Sequence, residues 1–491
     1  MKIISHFIVL LFFAKASYGS DFYTGAVVEY DPEEICSDIE TARELMLCNI
    51  DVYEVFVTNA AKNDVDIIVF PEYGITGVDL SEEEDRERAK EFMVEGVVGI
   101  NYCGNEENTD EILKEIGCIA KRHKMYIVVN MGEMVECNGN CEHEDGLNFY
   151  NTNFVFDRSG SLIAKYWKQN LFMEPVMDVP KEHRFTYFET DFGVTFGTFI
   201  CFDALWGESV ELLRLYPNIT DIVYPTAWVD EMPFMIAPVE QNGWAVSNNV
   251  NFLASGYHDP KWASLGSGIY SPSGPLNYTY DENSGSLMVF AKIPKIKKDN
   301  PKENRIGKNT HLFHKREERT LNQMTSQTRN LVFYEDLSRY SFSSVDKNID
   351  AANTLCHTEE FCCHFEYKVT ENNPDVSYLL LSYAGERSLV GGQSIDVEVC
   401  GLVLCHDDVC GVEFEEVEIT ETFEYFNVMG NFSTNAMILP SVLKWSAKLP
   451  DWNNIQMDSE NVEIHNKVEL TIEETELLSA ALYARLVDFE E

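Results

Sequence analysis

One stretch of this 491-residue chain decides its fold class: Asp191-Phe-Gly-Val-Thr-Phe-Gly-Thr-Phe-Ile-Cys201-Phe-Asp-Ala-Leu-Trp206. Between Phe192 and Ile200 the residues are β-branched or aromatic apart from the glycines, which predicts a buried strand. Residues 208–215 have helical spacing. A cysteine at such a junction lies where α/β proteins place reactive groups, at the carboxyl end of a strand and beside a helix N-terminus that favours thiolate. We therefore predict an α/β domain with Cys201 as a candidate nucleophile.

Cys201 competes with twelve other cysteines, because the chain has thirteen. In an oxidising compartment they form at most six disulfides, which leaves at least one thiol unpaired. Cys137 and Cys141 bracket a tight turn and are candidates for a local bridge. A second, C-terminal set comprises Cys356, Cys362, Cys363, Cys400, Cys405 and Cys410. The sequence alone does not give the connectivity.

The first twenty residues predict a cleaved secretory signal. Lys2 precedes an apolar run over 3–14, and Ser17-Tyr18-Gly19 has small residues at the two positions that a signal peptidase recognises. No later stretch has about 18 uninterrupted apolar residues, and the charged C-terminal end lacks the apolar tail of a lipid-anchor signal. We expect a secreted, extracellular protein without a membrane span. Its candidate glycosylation sites are Asn218, Asn277 and Asn431.

Charge excludes some partners. The formal net charge is −45, from 82 acidic and 37 basic residues, so nucleic acid and anionic membranes are not expected partners. The segment 292–319 is a local basic exception. We interpret it as a solvated linker lying against the acidic body, with a heparin-binding patch as the less favoured alternative.

The apolar pattern divides the chain into two unequal parts. Strands such as Phe22–Tyr30 alternate with helices such as Glu33–Ala61 up to about residue 290, whereas short strands without evident helices follow the basic segment. We predict a signal peptide over 1–20, a catalytic domain over 21–292, a linker over 293–319 and a β-rich, disulfide-containing domain over 320–491.

Three polar side chains come directly after apolar strands: Glu72, Lys168 and Cys201. Singly, a charge after a strand is usually a solvated loop residue. Together they specify a usable site if the strand ends converge, because a thiol needs a base and an acyl-transfer oxyanion needs a fixed cation or hydrogen-bond donors.

The motifs around these residues resemble those of the nitrilase (carbon-nitrogen hydrolase) superfamily, and most closely its vanin and biotinidase branch. The superfamily motifs occur in the expected order, as Phe70-Pro-Glu72-Tyr-Gly-Ile-Thr-Gly77, Lys165-Tyr-Trp-Lys168-Gln-Asn-Leu and Gly197-Thr-Phe-Ile-Cys201-Phe-Asp203. The branch signatures are Asn170-Leu-Phe-Met-Glu-Pro, Tyr224-Pro-Thr-Ala-Trp228, Asn251-Phe-Leu-Ala-Ser255 and Gly266-Ser-Gly-Ile-Tyr-Ser-Pro272. The resemblance implies an α-β-β-α sandwich followed by the smaller β-rich domain.

The resemblance also implies roles. Cys201 is expected to be the nucleophile, Glu72 the proton acceptor, and Lys168 the cation that stabilises the oxyanion together with the backbone N–H of Phe202. Glu174 resembles the extra glutamate that orients the lysine and substrate, with a plain loop carboxylate as the alternative. Trp228 and Tyr270 are candidate pocket walls, although aromatic residues at such places are more often part of the core. Lys168 and a helix N-terminus are expected to raise the thiolate fraction of Cys201.

These roles imply an amidohydrolase that cleaves a linear amide of a small molecule through a thioester acyl-enzyme, without metal or organic cofactor. Pantetheine, giving pantothenate and cysteamine, is the preferred substrate, and biotinyl amides such as biocytin are the alternative. A catalytically inactive secreted binding protein of the same fold is a rival from another class. The vanin-like architecture implies a monomer.

Overall fold

The computed structural model describes residues 20–37, 39, 41–77, 85–104, 110–137, 143–297, 333–346, 350–370, 376–407, 409–412, 423–445, 448–462 and 465–487. The predicted signal peptide, Cys141 and most of the basic segment lie outside these residues. Neither a Cys137–Cys141 bridge nor a heparin-binding patch is therefore tested.

Six α-helices lie in the described part of the chain: α1 Glu33–Cys36, α2 Ala42–Ala61, α3 Arg86–Ala89, α4 Glu111–His123, α5 Gly207–Leu215 and α6 Ala237–Asn248. Short 3-10 helices cover Lys90–Phe92, Cys201–Leu205, Pro260–Trp262, Leu337–Arg339 and Trp452–Asn454. The single helix predicted over Glu33–Ala61 is instead two helices. Thr41 at the N-cap of α2 has an extended backbone, which separates the two helices, and its hydroxyl donates to Glu44 at 2.6 Å.

The N-terminal part contains two six-stranded sheets. Its strands are β1 Phe22–Glu29, β2 Ile67–Val69, β3 Tyr126–Glu136, β4 Leu147–Phe156, β5 Leu162–Trp167, β6 Thr186–Glu189, β7 Thr195–Thr198, β8 Asp221–Pro225, β9 Glu231–Met232, β10 Asn251–Ser255, β11 Ser267–Ser271, β12 Gly274–Thr279 and β13 Leu287–Pro294. The first sheet has the order β13-β1-β2-β3-β4-β5 and the second β12-β11-β10-β8-β7-β6. The strand predicted over 192–200 is shorter, because Gly193, at φ +77°, lies in the turn between β6 and β7.

Apolar side chains hold the two sheets face to face. Val27 and Val69 of the first sheet belong to the same fully buried cluster as Phe196 and Leu253 of the second. Helices α2 and α4 pack on the outer face of the first sheet, and α5 and α6 pack on the second. This layering confirms the predicted α-β-β-α sandwich.

The C-terminal part is built from antiparallel strands. They are β14 Phe333–Tyr334, β15 Ser341–Ser344, β16 Ala351–Cys356, β17 Cys362–Val369, β18 Ser377–Ser388, β19 Ser394–His406, β20 Val409–Cys410, β21 Phe423–Phe432, β22 Ala436–Lys444, β23 Ile455–Val462, β24 His465–Thr475 and β25 Leu477–Leu486. One sheet has the order β15-β18-β19-β25-β22, with β20 on β19, and the other β16-β17-β21-β24-β23. The short β14 is the exception, since it pairs in parallel with β9 of the catalytic domain.

The disulfides confirm that the predicted C-terminal cysteines bridge among themselves. Their pairs are Cys356–Cys362, Cys363–Cys400 and Cys405–Cys410. The second pair joins β17 to β19 and so links the two C-terminal sheets. The N-terminal part has the pairs Cys36–Cys48 and Cys103–Cys118, and Cys137 is also disulfide-bonded. None of the described helices is long and apolar enough to cross a membrane.

A buried ion cluster joins the two parts of the molecule. Arg387 on β18 donates from Nη2 to Glu231 on β9 at 2.7 Å, and its Nε lies 3.1 Å from Glu335 next to β14. All three side chains are at most 9% exposed. Burial lowers the pKa of Arg387, but the neighbouring groups, Glu335 foremost, raise it above its ordinary value, so the guanidinium is charged.

We expect Arg387→Met to lower the free energy of unfolding by about 3–5 kcal/mol, because it leaves buried carboxylates without their cation. Chemical denaturation measures this loss. The control is Lys368→Ala, which removes an exposed ion pair with Glu424 and should leave the unfolding midpoint nearly unchanged. Equal midpoints for Arg387→Met and the parent protein would show that the cluster does not hold the two parts together.

Candidate active site

The ends of three strands bring Glu72, Lys168 and Cys201 together. Glu72 follows β2, Lys168 follows β5 directly, and Cys201 comes just after β7. Lys168 Nζ donates to Glu72 Oε1 at 2.7 Å, and both side chains are 2% exposed. Both charges act on the pKa of the Cys201 thiol. Among the described cysteines, Cys201 is the only one that is free.

Glu174 completes the charged group. Its Oε2 accepts from Lys168 Nζ at 2.7 Å, so the ammonium lies between two carboxylates. Burial lowers the pKa of Lys168, but Glu174 and Glu72 outweigh this effect and hold the pKa well above its ordinary value. Lys168 is therefore a fixed cation at neutral pH. An ammonium has three N–H donors, and these two contacts use two of them.

Glu72 is held by three donors. Besides Lys168, the Nδ2 of Asn151 donates to its Oε1 at 2.7 Å and the backbone N–H of Ala227 to its Oε2 at 2.9 Å. Burial raises the pKa of Glu72, Lys168 opposes that shift, and the charge of Glu174 adds to it. A carboxylate with a raised pKa is a better proton acceptor than an ordinary one.

Cys201 lies in a strained turn. Its φ is +44°, in the left-handed region that non-glycine residues seldom occupy, at the start of a 3-10 helix. Asp203 supports the turn, since its Oδ2 accepts from the backbone N–H of Ile200 at 3.1 Å and from the Tyr166 hydroxyl at 3.0 Å. The Tyr224 hydroxyl donates to the carbonyl of Cys201 at 2.7 Å. Contacts within the 3-10 helix, from Tyr166 on β5 and from Tyr224 on β8 thus set the position of Cys201.

The protonation state of the thiol differs from our expectation. Burial raises the pKa of Cys201 well above its ordinary value, Glu72 raises it further, and Lys168 and Thr226 only oppose these effects. The resting residue is therefore a neutral thiol, not a thiolate favoured by Lys168 and a helix N-terminus. Its proton has to leave as the sulfur attacks, and the nearby Glu72 carboxylate can accept it.

A pocket opens at Cys201. It is lined by Phe172, Cys201, Phe202, Leu205, Ala227, Trp228, Val229, Glu231, Met235, Leu389 and Val390. Trp228 thus lies where a pocket wall was predicted. Tyr270 does not, and this prediction needs correction: Tyr270 is fully buried on β11, where its hydroxyl donates to Gln241 Oε1 at 3.0 Å. It belongs to the core, which is the commoner place for such an aromatic residue.

Two aromatic neighbours hold the ring of Phe202 in place. Its ring packs against Phe172 and Trp206 at centroid distances of 5.2 and 5.8 Å. Its backbone N–H belongs to the first turn of the 3-10 helix, where N–H groups lack partners within the helix. A backbone N–H at such a position is the kind of donor that can stabilise an oxyanion.

Sequence reasoning missed Asn151 and Asp203. Asn151 bridges the two carboxylates, because its Nδ2 lies 2.7 Å from both Glu72 Oε1 and Glu174 Oε1. The available signal was Asn151-Thr-Asn153, which interrupts an otherwise apolar strand. Asp203 fixes the loop after Lys168, since its Oδ1 accepts from the backbone N–H of Asn170 at 2.8 Å. Burial raises the pKa of Asp203 to about 6, which leaves it ionised at neutral pH.

The described residues contain no group of three or more His, Cys, Asp or Glu side chains that could hold a metal ion.

The sequence comparisons match two family models, the carbon-nitrogen hydrolase over residues 26–276 and the vanin C-terminal domain over residues 331–489. This chain belongs to the carbon-nitrogen hydrolase (nitrilase) superfamily. Both models together place it in the vanin and biotinidase branch.

Two relatives, a pantetheinase and a biotinidase, agree with that assignment. Pantetheinase of Mus musculus is 32% identical over 418 residues, which cover 83% of this chain and 78% of the relative. Biotinidase of Homo sapiens is 31% identical over 507 residues, covering 96% and 90%. A solved structure of Saccharomyces cerevisiae Nit3, a member of branch 10 of the nitrilase superfamily, aligns with a TM-score of 0.42 and 18% identity, covering 56% of this chain and 90% of that one. The chain is a carbon–nitrogen hydrolase, an amidohydrolase of this family.

The raised pKa of the nucleophile in this nitrilase-type site predicts a pH profile. Alkylation of Cys201 by iodoacetamide should keep rising above roughly pH 8.5, where an unperturbed thiol is half ionised. In Glu72→Gln the rising limb should move to lower pH, by on the order of one unit, because a negative neighbour disfavours thiolate.

The rate of alkylation across pH, followed by mass spectrometry of the Cys201 peptide, measures both effects. Glu189→Gln is the control, since Glu189 is an exposed carboxylate of the same domain. A shift of the Glu72→Gln profile to higher pH would mean that Glu72 stabilises the thiolate, contrary to this assignment.

Proposed function

We propose that this protein is a secreted amidohydrolase that cleaves pantetheine to pantothenate and cysteamine through a thioester on Cys201. The observation that carries the proposal is the buried Lys168 ammonium, held at 2.7 Å by both Glu72 and Glu174, close enough for its charge to act on the free thiol. The site thus combines a nucleophile, Cys201, with a base, Glu72, and a cation for the oxyanion, Lys168.

The first half of the reaction forms the acyl-enzyme. The sulfur of Cys201 attacks the amide carbonyl as its proton passes to Glu72, and the oxyanion accepts hydrogen bonds from Lys168 Nζ and the backbone N–H of Phe202. Glu72 then gives the proton to the amide nitrogen, the carbon–nitrogen bond breaks, and the amine leaves. Such positioned proton transfer typically contributes about 10²–10⁴-fold.

The second half releases the acid. A water molecule takes the place of the amine, Glu72 removes its proton, and the oxygen attacks the thioester carbonyl. The carbon–sulfur bond breaks as the proton returns to the sulfur, which restores the neutral thiol. Glu174 and Asn151 act through the residues they hold, because they fix the ammonium and the carboxylate of Glu72.

The choice of substrate rests on the relatives. Pantetheinase and biotinidase are similar to this chain at 32% and 31% identity, so identity alone does not separate the two activities. Pantetheine is preferred because the pantetheinases of several mammals are among the matched proteins. Biotinyl amides such as biocytin are the alternative.

The cellular setting is also part of the proposal. Disulfides persist in oxidising compartments, and this chain has several. The sequon residues Asn218, Asn277 and Asn431 are all exposed, as glycan attachment requires. We propose an extracellular, glycosylated monomer.

The purified protein should hydrolyse pantetheine with a higher kcat/KM than biocytin. Cys201→Ala should lose this activity because no other described thiol is free, and Glu72→Gln should lose at least about 10²-fold. Release of cysteamine and of lysine measures the two reactions, and thermal melting checks that the variants fold.

Glu189→Gln again serves as the control and should keep full activity. If Cys201→Ala cleaves pantetheine at the parent rate, the assignment of Cys201 as the nucleophile is wrong. Faster hydrolysis of biocytin would assign the other substrate, and hydrolysis of neither compound would overturn the substrate proposal as a whole.

A further inference from the structure

One wall of the active-site pocket comes from the C-terminal domain. The strands β18 and β19 form a hairpin, and we call residues 389–393 between them the hairpin tip. Leu389 and Val390 of this tip line the same pocket as Cys201 and Trp228. The tip is closed by backbone hydrogen bonds from Leu389 to Gln393 at 2.8 Å and from Gly392 to Leu389 at 2.9 Å. A substrate bound at Cys201 therefore meets a surface that the catalytic domain does not supply.

The tip is anchored to the catalytic domain through Glu231. The backbone N–H of Val390 donates to Glu231 Oε1 at 3.0 Å, and Arg387 Nη2 donates to Glu231 Oε2 at 2.7 Å. Both oxygens of this carboxylate are thus occupied from the C-terminal side. Among the described residues that line the pocket, Glu231 is the only acidic one, and its charge is neutralised by Arg387.

The tip also contacts the loop that carries Glu174. A Cβ at Gly391 would lie 2.5 Å from the ring of Phe172, so a larger residue there would have to displace that ring. The ring of Phe172 packs on Phe202 at 5.2 Å, and its backbone N–H donates to Glu174 Oε2 at 2.9 Å. Phe172 therefore links the hairpin tip to two groups of the catalytic site, Phe202 and Glu174.

The other residues that line the pocket indicate which kind of substrate group fits against this wall. Leu389 and Val390 face a space bounded by Leu205, Trp228, Val229 and Met235, all of them apolar. A pocket of this composition binds an uncharged carbon chain and discriminates by size, whereas a charged group would be buried there without a partner.

We propose that the hairpin tip is a specificity-determining wall of the active site, which sets the size of the neutral carbon segment that fits beside Cys201. As a statement about the substrate class, it rests on the proposed function, the cleavage of pantetheine at Cys201. The wall itself is testable without any substrate, because it limits access of every reagent to the thiol.

The test compares alkylation of Cys201 by iodoacetamide and by N-hexyl iodoacetamide in the full-length protein. In Val390→Trp the indole fills the pocket, so the ratio of the large-reagent rate to the small-reagent rate should fall at least about tenfold, the effect of a misfit in an apolar pocket. In Val390→Ala the same ratio should rise, which keeps the test valid if the larger residue impairs folding.

Ser388→Ala is the matched control, because Ser388 is exposed at the end of β18 next to the hairpin tip and does not line the pocket, and its ratio should equal that of the parent protein. Ratios unchanged in both Val390 variants would overturn the proposal. Turnover of pantetheine is measured in parallel, where Val390→Trp should lower kcat/KM at least about tenfold. If the parent protein hydrolyses no pantetheine but the alkylation ratios shift, the substrate assignment fails while the hairpin wall stands.

Discussion

A single buried ammonium, that of Lys168, is the constraint on which the site depends. A lysine that is 2% exposed is costly to keep charged unless it is paired, and here Glu72 and Glu174 both pair with it. Burial raises the pKa of both Glu72 and Cys201, a neighbouring carboxylate adds to each shift, and Lys168 opposes it, so Cys201 is held as a thiol. Asn151, which donates to both carboxylates, keeps them from separating.

This arrangement explains why the sequence predicted the main residues but not the charge state. Glu72, Lys168 and Cys201 each follow an apolar strand, so their convergence follows from strand order in two packed sheets. The pKa of the thiol depends instead on how deeply Cys201 is buried and how near Glu72 lies. Neither quantity can be read from spacing along the chain, and a lysine in the motif suggested thiolate. Tyr270 was misplaced for a similar reason, because both pocket and core favour aromatic residues.

Asn151 and Asp203 were missed because their function is to hold other groups. Each lies in a segment whose apolar pattern predicts its strand or turn correctly, and only the hydrogen-bond partners from other segments give the polar side chain its role. The helices and the C-terminal set of bridging cysteines were predictable, since hydrophobic period and cysteine clustering are local signals, whereas the layering came from the family resemblance and the cysteine pairs from the structure. The contact between the domains was not, because Arg387 and Glu231 are 156 residues apart.

We propose above all that Cys201, activated by proton transfer to Glu72, carries the acyl group of a cleaved amide. Acid quenching during turnover of pantetheine, followed by peptide mass spectrometry, tests it most directly. We predict that the peptide containing Cys201 gains the mass of the pantothenoyl group, and that this adduct disappears as the substrate is exhausted. Steady release of cysteamine with no adduct on Cys201, or with the adduct on another residue, would contradict the account.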